Sequence, residues 1–297
     1  MLSRGDTGDE VRTLQAFLNA EGCRDDGGLT LAVDGAFGER TVQALKVFQA
    51  RAGLAADGVF GQQTEVAARA LGFDGGALVR IEGVDVSYFQ TDGHGKSLID
   101  WPSLVPEPAF FWARSSLGLS ADATYAPHIA AGSATGAVPG AYHFFIATDD
   151  PKAQAKLWRA TAGEQPANAT LRPAIDIENN RVDANKQPVP LTDAEAKLWA
   201  TNARMLILSG EDLFARKLVV YINPKTAIEM KAHLDEAFWG ARLLWLAEYT
   251  NGTPSIPFPW KSCGAHQFAG NVAMPGATCL MDRNVIYRQS AFDQLKS

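Results

Sequence analysis

The stretch that decides the fold is Pro173-Ala-Ile-Asp-Ile-Glu178, a short apolar run that ends in two carboxylates. Side chains alternate between the two faces of a β-strand, so Ile175 and Ile177 share one face. Asp176 and Glu178 share the opposite face. The isoleucines suit packing under helices, which leaves the two acids side by side at the carboxyl end of the strand. We therefore predict a buried strand that delivers a pair of acids to one face of a sheet.

A pair of neighbouring acids has a definite chemical use. Two adjacent carboxylates resist ionising together, so one of them can keep its proton near neutral pH. A proton donor beside a carboxylate is what the hydrolysis of a glycosidic bond requires. An Asp-x-Glu triplet also occurs at solvated strand ends, and the rest of the site must therefore decide between the two interpretations.

From about Leu78 onward the chain alternates short apolar runs with helical patterns. The candidate strands lie at residues 83–88, 109–115, 138–145, 172–178, 217–222, 243–249, 265–268 and 280–286. The candidate helices between them lie at residues 123–133, 151–161, 192–209 and 224–236. Strands that alternate with helices predict an α/β domain with a parallel sheet, here an irregular (β/α) TIM-like barrel. The connections after Tyr249 are too short for full helices, so we expect the barrel to be incomplete on that side.

Polar and aromatic residues recur where the predicted strands end. They are Asp85, Tyr142, Phe144, Asp176, Glu178, Tyr221, Trp245, Glu248, Tyr249, His266, Gln267, Asp282 and Asn284. Because active sites of such barrels lie at the carboxyl ends of the strands, these side chains should face a common cleft. Aromatic faces and carboxylates together are the composition of a sugar-binding cleft.

The first seventy residues contain an internal repeat. Residues 33–41 and 56–64 both read Asp-Gly, one residue, Phe-Gly, two residues, Thr. Asp-Gly is a turn signal, and the Phe can fill a small core. Helical spacing follows each copy, at Val42, Leu45 and Phe48 and then at Val66 and Leu71; an earlier helix is marked by Val11, Leu14 and Leu18. The repeat therefore predicts a small all-α domain of three helices.

This N-terminal region resembles the peptidoglycan-binding domain type 1 family over roughly residues 3–72. The resemblance rests on Arg4-Gly-Asp-Thr-Gly-Asp-Glu-Val-Arg-Thr-Leu-Gln-Ala-Phe-Leu18, the doubled motif and the pair Phe48-Gln49. It implies that the module anchors the chain to cell-wall peptidoglycan. The alternative is a generic helical interaction module.

Residues 81–290 resemble glycoside hydrolase family 25, the Chalaropsis-type lysozymes. The matching motifs are Gly83-Val-Asp-Val-Ser-Tyr-Phe-Gln90, Gly140-Ala-Tyr-His-Phe-Phe145, Pro173-Ala-Ile-Asp-Ile-Glu178, Leu218-Val-Val-Tyr-Ile-Asn223, Leu244-Trp-Leu-Ala-Glu-Tyr249, His266-Gln-Phe268 and Met281-Asp-Arg-Asn-Val285. The family cleaves the β-1,4 bond between N-acetylmuramic acid and N-acetylglucosamine. The implied organisation is a peptidoglycan-binding domain at residues 1–72, a glycine-rich linker at 73–80 and a catalytic domain at 81–297.

The resemblance also implies roles for the site residues. Glu178 would be the general acid, and Asp176 would stabilise the cation at the anomeric centre or an oxazolinium. Asp85 and Asp282 would orient these two acids and set their pKa values. The residues expected to bind sugar are Tyr142, Phe144, Tyr221, Trp245, Tyr249 and Gln267. We expect His143 and His266 to be hydrogen-bonded core residues, and we expect no metal and no cofactor.

Bulk properties exclude several other classes. The chain has 297 residues and a net charge of −6 without long charged runs, which argues against nucleic-acid binding. No apolar segment is long enough for membrane insertion. The sparse cysteines, Cys23, Cys263 and Cys279, are expected to be free thiols, although Cys263 and Cys279 could pair. The N-terminus has no apolar signal core. A murein hydrolase with a wall-binding module in front and no signal core resembles a modular phage endolysin, made in the host cytoplasm and reaching the wall after release. The alternative is a bacterial protein exported by a non-Sec route. We expect a monomer.

Three alternatives differ in the chemistry they need. A non-catalytic cell-wall binding protein would keep the fold but lose the acids, whereas Asp176 and Glu178 are both present. A chitinase-like N-acetylglucosaminidase would carry more spaced acids before its Glu, where this chain has Arg172-Pro-Ala174. A peptidoglycan amidase or peptidase would need a zinc set or a Cys/His pair, and neither spacing is present.

Overall fold

The computed structural model describes residues 2–73, 80–250, 254–260, 262–287 and 289–297. Most of the predicted linker, at residues 74–79, lies outside the described residues. The chain divides into two compact units, of which the second begins at Ile81. None of the described helices is both long and apolar enough to cross a membrane.

The first unit contains the predicted three-helix arrangement. Its helices are α1 (Asp9–Ala20), α2 (Glu39–Arg51) and α3 (Gln62–Ala70). Phe37 and Phe60, the repeated phenylalanines, are buried in its core as predicted. Val66 and Leu71, which marked the helical spacing after the second copy, are 64% and 57% exposed. The third helix instead buries the smaller Thr64 and Ala68, which lie four residues apart on one helical face.

A buried glutamine explains why the motif repeats. The amide of Gln15 lies within hydrogen-bonding distance of four groups in the first copy: Asp34 Oδ1 (3.0 Å), Gly35 N (2.9 Å), Ala36 O (3.0 Å) and Thr41 Oγ1 (3.2 Å). The amide of Gln49 contacts the same four positions of the second copy: Asp57 Oδ1 (2.8 Å), Gly58 N (2.9 Å), Val59 O (3.0 Å) and Thr64 Oγ1 (3.1 Å). Gly35 and Gly58 both have a positive φ, which glycine adopts without strain. The Asp, Gly and Thr of each copy thus enclose one buried amide.

The second unit is a closed barrel of eight strands. Its strands are β1 (Ile81–Val86), β2 (Phe110–Leu117), β4 (Val138–Phe144), β5 (Ala174–Ile177), β6 (Val219–Ile222), β7 (Leu243–Ala247), β8 (Ala265–Ala273) and β9 (Leu280–Ile286). A two-residue strand, β3 (Ser120–Ala121), extends β2 at the rim. The order around the barrel is β1-β9-β8-β7-β6-β5-β4-β2, and β2 returns to β1. All eight predicted strands are present.

The expectation of an incomplete barrel is wrong, and the cause is strand direction. β9 runs antiparallel to both of its neighbours, β8 and β1, while the other pairs of barrel strands are parallel. An antiparallel neighbour needs only a hairpin, not a helical crossover. The short connection between β8 and β9 is therefore enough to add the last strand that closes the barrel.

Helices cover the outside of the barrel at the predicted places. They are α4 (Tyr125–Ser133), α5 (Pro151–Ala162), α6 (Asp193–Phe214) and α7 (Pro224–Met230). Asp150, Thr192 and Asn223 cap the last three through hydrogen bonds to backbone N–H groups. Ile175 and Ile177 of β5 pack in the core between the barrel and these helices, as predicted.

The inside of the barrel is a separate core made of large aromatic residues. Phe110 and Trp112 fill it from β2, and glycines on the two adjoining strands make room for them. A Cβ atom at Gly83 would lie 2.5 Å from the Phe110 carbonyl oxygen, and one at Gly140 would lie 2.6 Å from the Trp112 ring. A C-terminal helix that the sequence did not predict, α8 (Gln289–Lys296), adds its Phe292 to this core.

The glutamine network of the first unit can be tested with Gln49→Leu. The change leaves the Gly58 N–H without its acceptor, whereas the Val59 carbonyl keeps the Gly61 N–H, and the unpaired N–H should cost about 1–3 kcal/mol of unfolding free energy. Amide hydrogen exchange of the first unit, measured in the full chain, would report this loss. The matched control is Gln63→Leu at an exposed position of α3, expected to change stability by less than about 0.5 kcal/mol. Equal exchange rates in the two variants would contradict the interpretation.

Candidate active site

Four carboxylates meet at one end of the barrel. Asp85 lies on β1, Asp176 lies on β5, and Glu178 follows one residue after the end of β5. Asp282 lies near the start of β9 and is the direct cross-strand partner of Asp85. Because β9 is reversed, its first residues lie at the same end as the last residues of the parallel strands. From its sequence, Asp282 is expected at the carboxyl end of a parallel strand. In the structure it lies near the amino end of the antiparallel β9, which is at the same end of the barrel.

Three of these acids, Asp85, Asp176 and Asp282, have raised pKa values. Burial is the largest effect on Asp85, and together with the charge of Asp282 it raises the pKa of Asp85 to about 8. Burial also raises the pKa of Asp176 well above its usual value, with added effects from Glu178 and Asp85. The pKa of Asp282 is raised by burial and by Glu178, against a hydrogen bond from the Asn271 N–H at 2.7 Å. The cluster therefore holds protons more tightly than isolated carboxyls would.

Two side-chain amides hold one oxygen of Asp85. Gln267 Nε2 and Asn284 Nδ2 each donate to Asp85 Oδ2 at 2.8 Å. The carbonyl oxygens of these amides accept hydrogen bonds in turn, from the Tyr221 hydroxyl at 2.9 Å and from the Trp245 indole N–H at 2.7 Å. Gln267 and Asn284 are almost completely buried. This network crosses the barrel from β6 and β7 to β1.

Asp176 lies in a different environment. Its Oδ1 is buried and accepts no hydrogen bond from the described residues. The positive charge of Arg114 on β2 partly offsets the rise in the Asp176 pKa. Arg114 itself donates to Asp122 at 2.8 Å, and only 11% and 3% of these two side chains are exposed. The sequence analysis missed this pair, because an arginine within the run Phe110-Phe-Trp-Ala-Arg114 gives no indication of which acid it meets.

The backbone after Glu178 is fixed by its neighbour Asn179. The Asn179 side chain donates to the Val189 carbonyl at 2.9 Å and to Glu229 at 2.7 Å. Its backbone N–H donates to Thr226 at 3.0 Å. Glu178 is half-buried, and one of its oxygens accepts a hydrogen bond from Asn180 at 2.8 Å. The hydrogen bonds of Asn179 hold the backbone next to Glu178 in place, while the Glu178 carboxylate stays at the mouth of the barrel.

The predicted sugar-binding residues fall into two groups. Tyr142, Tyr221 and Trp245 are at most 8% exposed and belong to the inner core, where Trp245 stacks on Trp112 at 4.2 Å. Gln267 is only 1% exposed, and its amide is used in the network around Asp85. These four side chains form the floor under the acids.

The second group lies at the rim. Phe144 is half-buried, and 64% of Tyr249 is exposed. The Tyr249 ring lies directly against Gly270, where an added Cβ would be 2.4 Å from the hydroxyl oxygen. Two further aromatic residues that the sequence analysis did not single out, Tyr88 and Phe89, are 43% and 73% exposed just after β1. The rim thus offers aromatic faces to a ligand.

Both histidines of the motifs are buried and hydrogen-bonded, as predicted. His143 contacts Ser116 Oγ at 2.8 Å and Gln154 Oε1 at 3.1 Å, and burial lowers the pKa of His143 to about 4. His266 contacts the Tyr287 hydroxyl at 2.8 Å and the Glu248 carbonyl at 2.6 Å. Both rings therefore have structural roles beneath the site.

In the part of the chain that the structure describes, no group of three His, Cys, Asp or Glu side chains could hold a metal ion. Cys23, Cys263 and Cys279 are free thiols. The groups of the site that can exchange protons or donate hydrogen bonds include its carboxylates and the amides of Gln267 and Asn284.

A barrel with clustered acids above an aromatic floor defines the class of the protein as a glycoside hydrolase. The model of glycosyl hydrolases family 25 matches residues 84–277, which is more than half of the chain. The chain belongs to glycosyl hydrolases family 25. A peptidoglycan binding domain model matches residues 7–67, which contain α1, α2 and the first part of α3. No curated protein sequence matches the chain.

Solved structures share the fold at low sequence identity. A bacterial lysozyme from Streptomyces coelicolor is 20% identical with a TM-score of 0.60, covering 73% of this chain and 96% of that one. A family 25 glycosyl hydrolase from Bacillus anthracis is 20% identical with a TM-score of 0.57, covering 73% and 94%. The catalytic domain of endolysin ply40 from bacteriophage P40 of Listeria monocytogenes is 18% identical with a TM-score of 0.53, covering 74% and 99%. Together with the family, these likenesses support a peptidoglycan-hydrolysing muramidase.

The buried ion pair beside the acids can be tested with Arg114→Met. The change leaves Asp122 buried without its cation, which should cost about 3 kcal/mol of unfolding free energy. The control is Arg204→Met, because Arg204 pairs with Asp235 at 2.7 Å while about half of each side chain is exposed. That change should cost less than about 1 kcal/mol. Denaturant unfolding of both variants would check this, and equal losses would refute the special role of the Arg114 pair.

Proposed function

We propose that the protein hydrolyses the β-1,4 bond between N-acetylmuramic acid and N-acetylglucosamine in bacterial peptidoglycan. The observation that carries this proposal is the order of the acids at the barrel mouth. Glu178 is half-buried and anchored by Asn179, while Asp176 lies deeper on the same strand face. One acid is therefore presented to a ligand, and the other lies beneath it.

In this proposal each carboxylate has one role. Glu178 protonates the leaving oxygen as general acid. Asp176 stabilises the positive charge that develops at the anomeric carbon or on an oxazolinium formed from the substrate's acetamide. Its buried Oδ1 accepts no hydrogen bond from the described residues, so no donor at that atom offsets the negative charge of the carboxylate. Asp85 and Asp282 orient the pair and set the pKa values around it.

The aromatic residues supply the substrate contacts. Tyr249, Phe144, Tyr88 and Phe89 present rings at the rim, where pyranose faces can stack. Tyr142, Tyr221, Trp245 and Gln267 line the floor and shape the space above it. This arrangement suits a long polymer that crosses the mouth rather than a small molecule enclosed by the protein.

The biological setting is part of the proposal. A wall-binding domain joined to a muramidase domain suits a phage endolysin that is made in the host cytoplasm and acts at the cell wall after release. The match of residues 7–67 to a peptidoglycan binding domain supports action at the wall. All four acids come from one barrel, which supports a monomer as the active form.

Glu178→Gln tests the assignment of the general acid. The amide keeps the size of the side chain but cannot donate a proton in the same way, so turnover of purified sacculi should fall by about 10²- to 10⁴-fold. Sedimentation with insoluble sacculi should be unchanged, because binding is assigned to the first unit. The control is Glu107→Gln, an exposed acid just before β2 at the opposite end of the barrel, which should lyse sacculi at the normal rate. Undiminished lysis by the Glu178 variant would remove Glu178 from its role.

A further inference from the structure

Asp85 is the most constrained acid of the cluster, and its hydrogen bonds determine where a proton can lie. Both amide donors, Gln267 and Asn284, reach the same oxygen, Oδ2. An indole N–H can only donate, so the Asn284 oxygen must face Trp245 and its NH₂ group must face Asp85. Oδ2 thus receives two N–H groups and cannot itself carry a proton toward them. A proton on this acid must be on Oδ1.

The surroundings of Asp85 contain many titratable groups. The acids that act on it are Asp282 on the neighbouring strand and Glu178 above β5. Its own charge acts on Asp176, Tyr142, Tyr221 and Tyr249, and Arg114 is the cation that acts on Asp176 and Tyr142. The largest effects on the pKa of Asp85 come from its burial, from the neighbouring acids Asp282 and Glu178, and from the two amide donors. A second full negative charge opposite Asp282 would therefore be poorly compensated.

We propose that burial opposite Asp282 keeps Asp85 a neutral carboxylic acid, and that Gln267 and Asn284 are positioning residues that occupy its Oδ2 and so place the proton on Oδ1. Asp85 then contributes a hydrogen-bond donor to the acid cluster instead of a further negative charge. Tyr221 and Trp245 act indirectly, because they donate hydrogen bonds to the oxygens of the two amides and so fix which way each amide points. The consequence for catalysis rests on the proposed function, whereas the protonation state of Asp85 does not.

The direction of the pH dependence follows from the burial. In the folded protein the pKa of Asp85 is about 8, whereas its ordinary value is 3.8. Between these two values the folded state binds a proton that the unfolded state has lost, so this group's contribution to stability falls as pH rises. Asp85→Asn replaces the neutral acid with an isosteric amide that does not titrate. The decline in melting temperature from pH 5 to pH 8 should therefore be smaller in Asp85→Asn than in the native protein.

The direct test is a carboxyl titration by NMR of the full chain labelled with ¹³C-aspartate, with the Asp85 signal assigned by its absence in Asp85→Asn. We expect Asp85 to titrate far above the exposed aspartates. Tyr221→Phe removes only the hydroxyl that orients Gln267, so the Gln267 amide is free to turn away from Asp85. A weakened N–H donor stabilises the charged form of Asp85 less, which should move the Asp85 titration to higher pH. Gln267→Leu should move it in the same direction.

The structure offers a matched control in the same protein. Tyr125 and Gln165 form a second buried tyrosine–glutamine pair, with the Gln165 amide 3.2 Å from the Tyr125 hydroxyl. Tyr125→Phe and Gln165→Leu should leave the Asp85 titration and the pH profile of lysis unchanged. In Gln267→Leu, kcat should fall by about 10- to 100-fold through misplacement of the acids, with KM little changed.

The outcomes separate this proposal from the proposed function. An Asp85 signal that titrates with the exposed aspartates would overturn it, and so would a Tyr221→Phe titration identical to that of Tyr125→Phe. Because the titration needs no substrate, it decides the protonation of Asp85 even if sacculi are not cut. Failure of Gln267→Leu to fold would leave the decision to Tyr221→Phe, which removes a single oxygen.

Discussion

The structure depends on the burial of acids at the mouth of a barrel whose interior is apolar. Carboxylates taken out of water favour their neutral forms unless donors or cations stabilise their charge. Here the compensation comes from separate strands. The donors are the amides of Gln267 and Asn284 and the N–H of Asn271, and the nearby cation is Arg114. Each of these groups is in place only when the barrel is closed.

Closure also explains the direction of the last strand. If β9 ran parallel to its neighbours, Asp282 would lie at the start of a strand at the far end of the barrel. Because β9 runs antiparallel, the same residue becomes the cross-strand partner of Asp85. Asn284, two residues further along the same face, then reaches Asp85 from below. One reversed strand therefore supplies both a neighbouring acid and the donor that restrains it.

Much of this architecture could be predicted from the sequence, because periodicity is a local property. The alternation in Ile175-Asp-Ile-Glu178 predicted which face each side chain takes, and the structure confirms that the isoleucines pack under the helices. What could not be predicted depends on partners that are distant in sequence. Examples are the direction of β9, the ion pair between Arg114 and Asp122, and the hydrogen bond from Gln267 to Asp85. The buried amides of Gln15 and Gln49 are another, since a repeat shows which residues recur but not which side chain they enclose.

The measurement that tests the account most directly is the identity of the sugar at the newly formed ends. Purified sacculi would be digested with the full-length protein, reduced with borohydride and hydrolysed, with the Glu178→Gln protein as the blank. The account predicts reduced N-acetylmuramic acid in the digest and none above background in the blank. Reduced N-acetylglucosamine would contradict the assigned bond. An absence of new reducing ends while the protein sediments with the sacculi would show binding without cleavage.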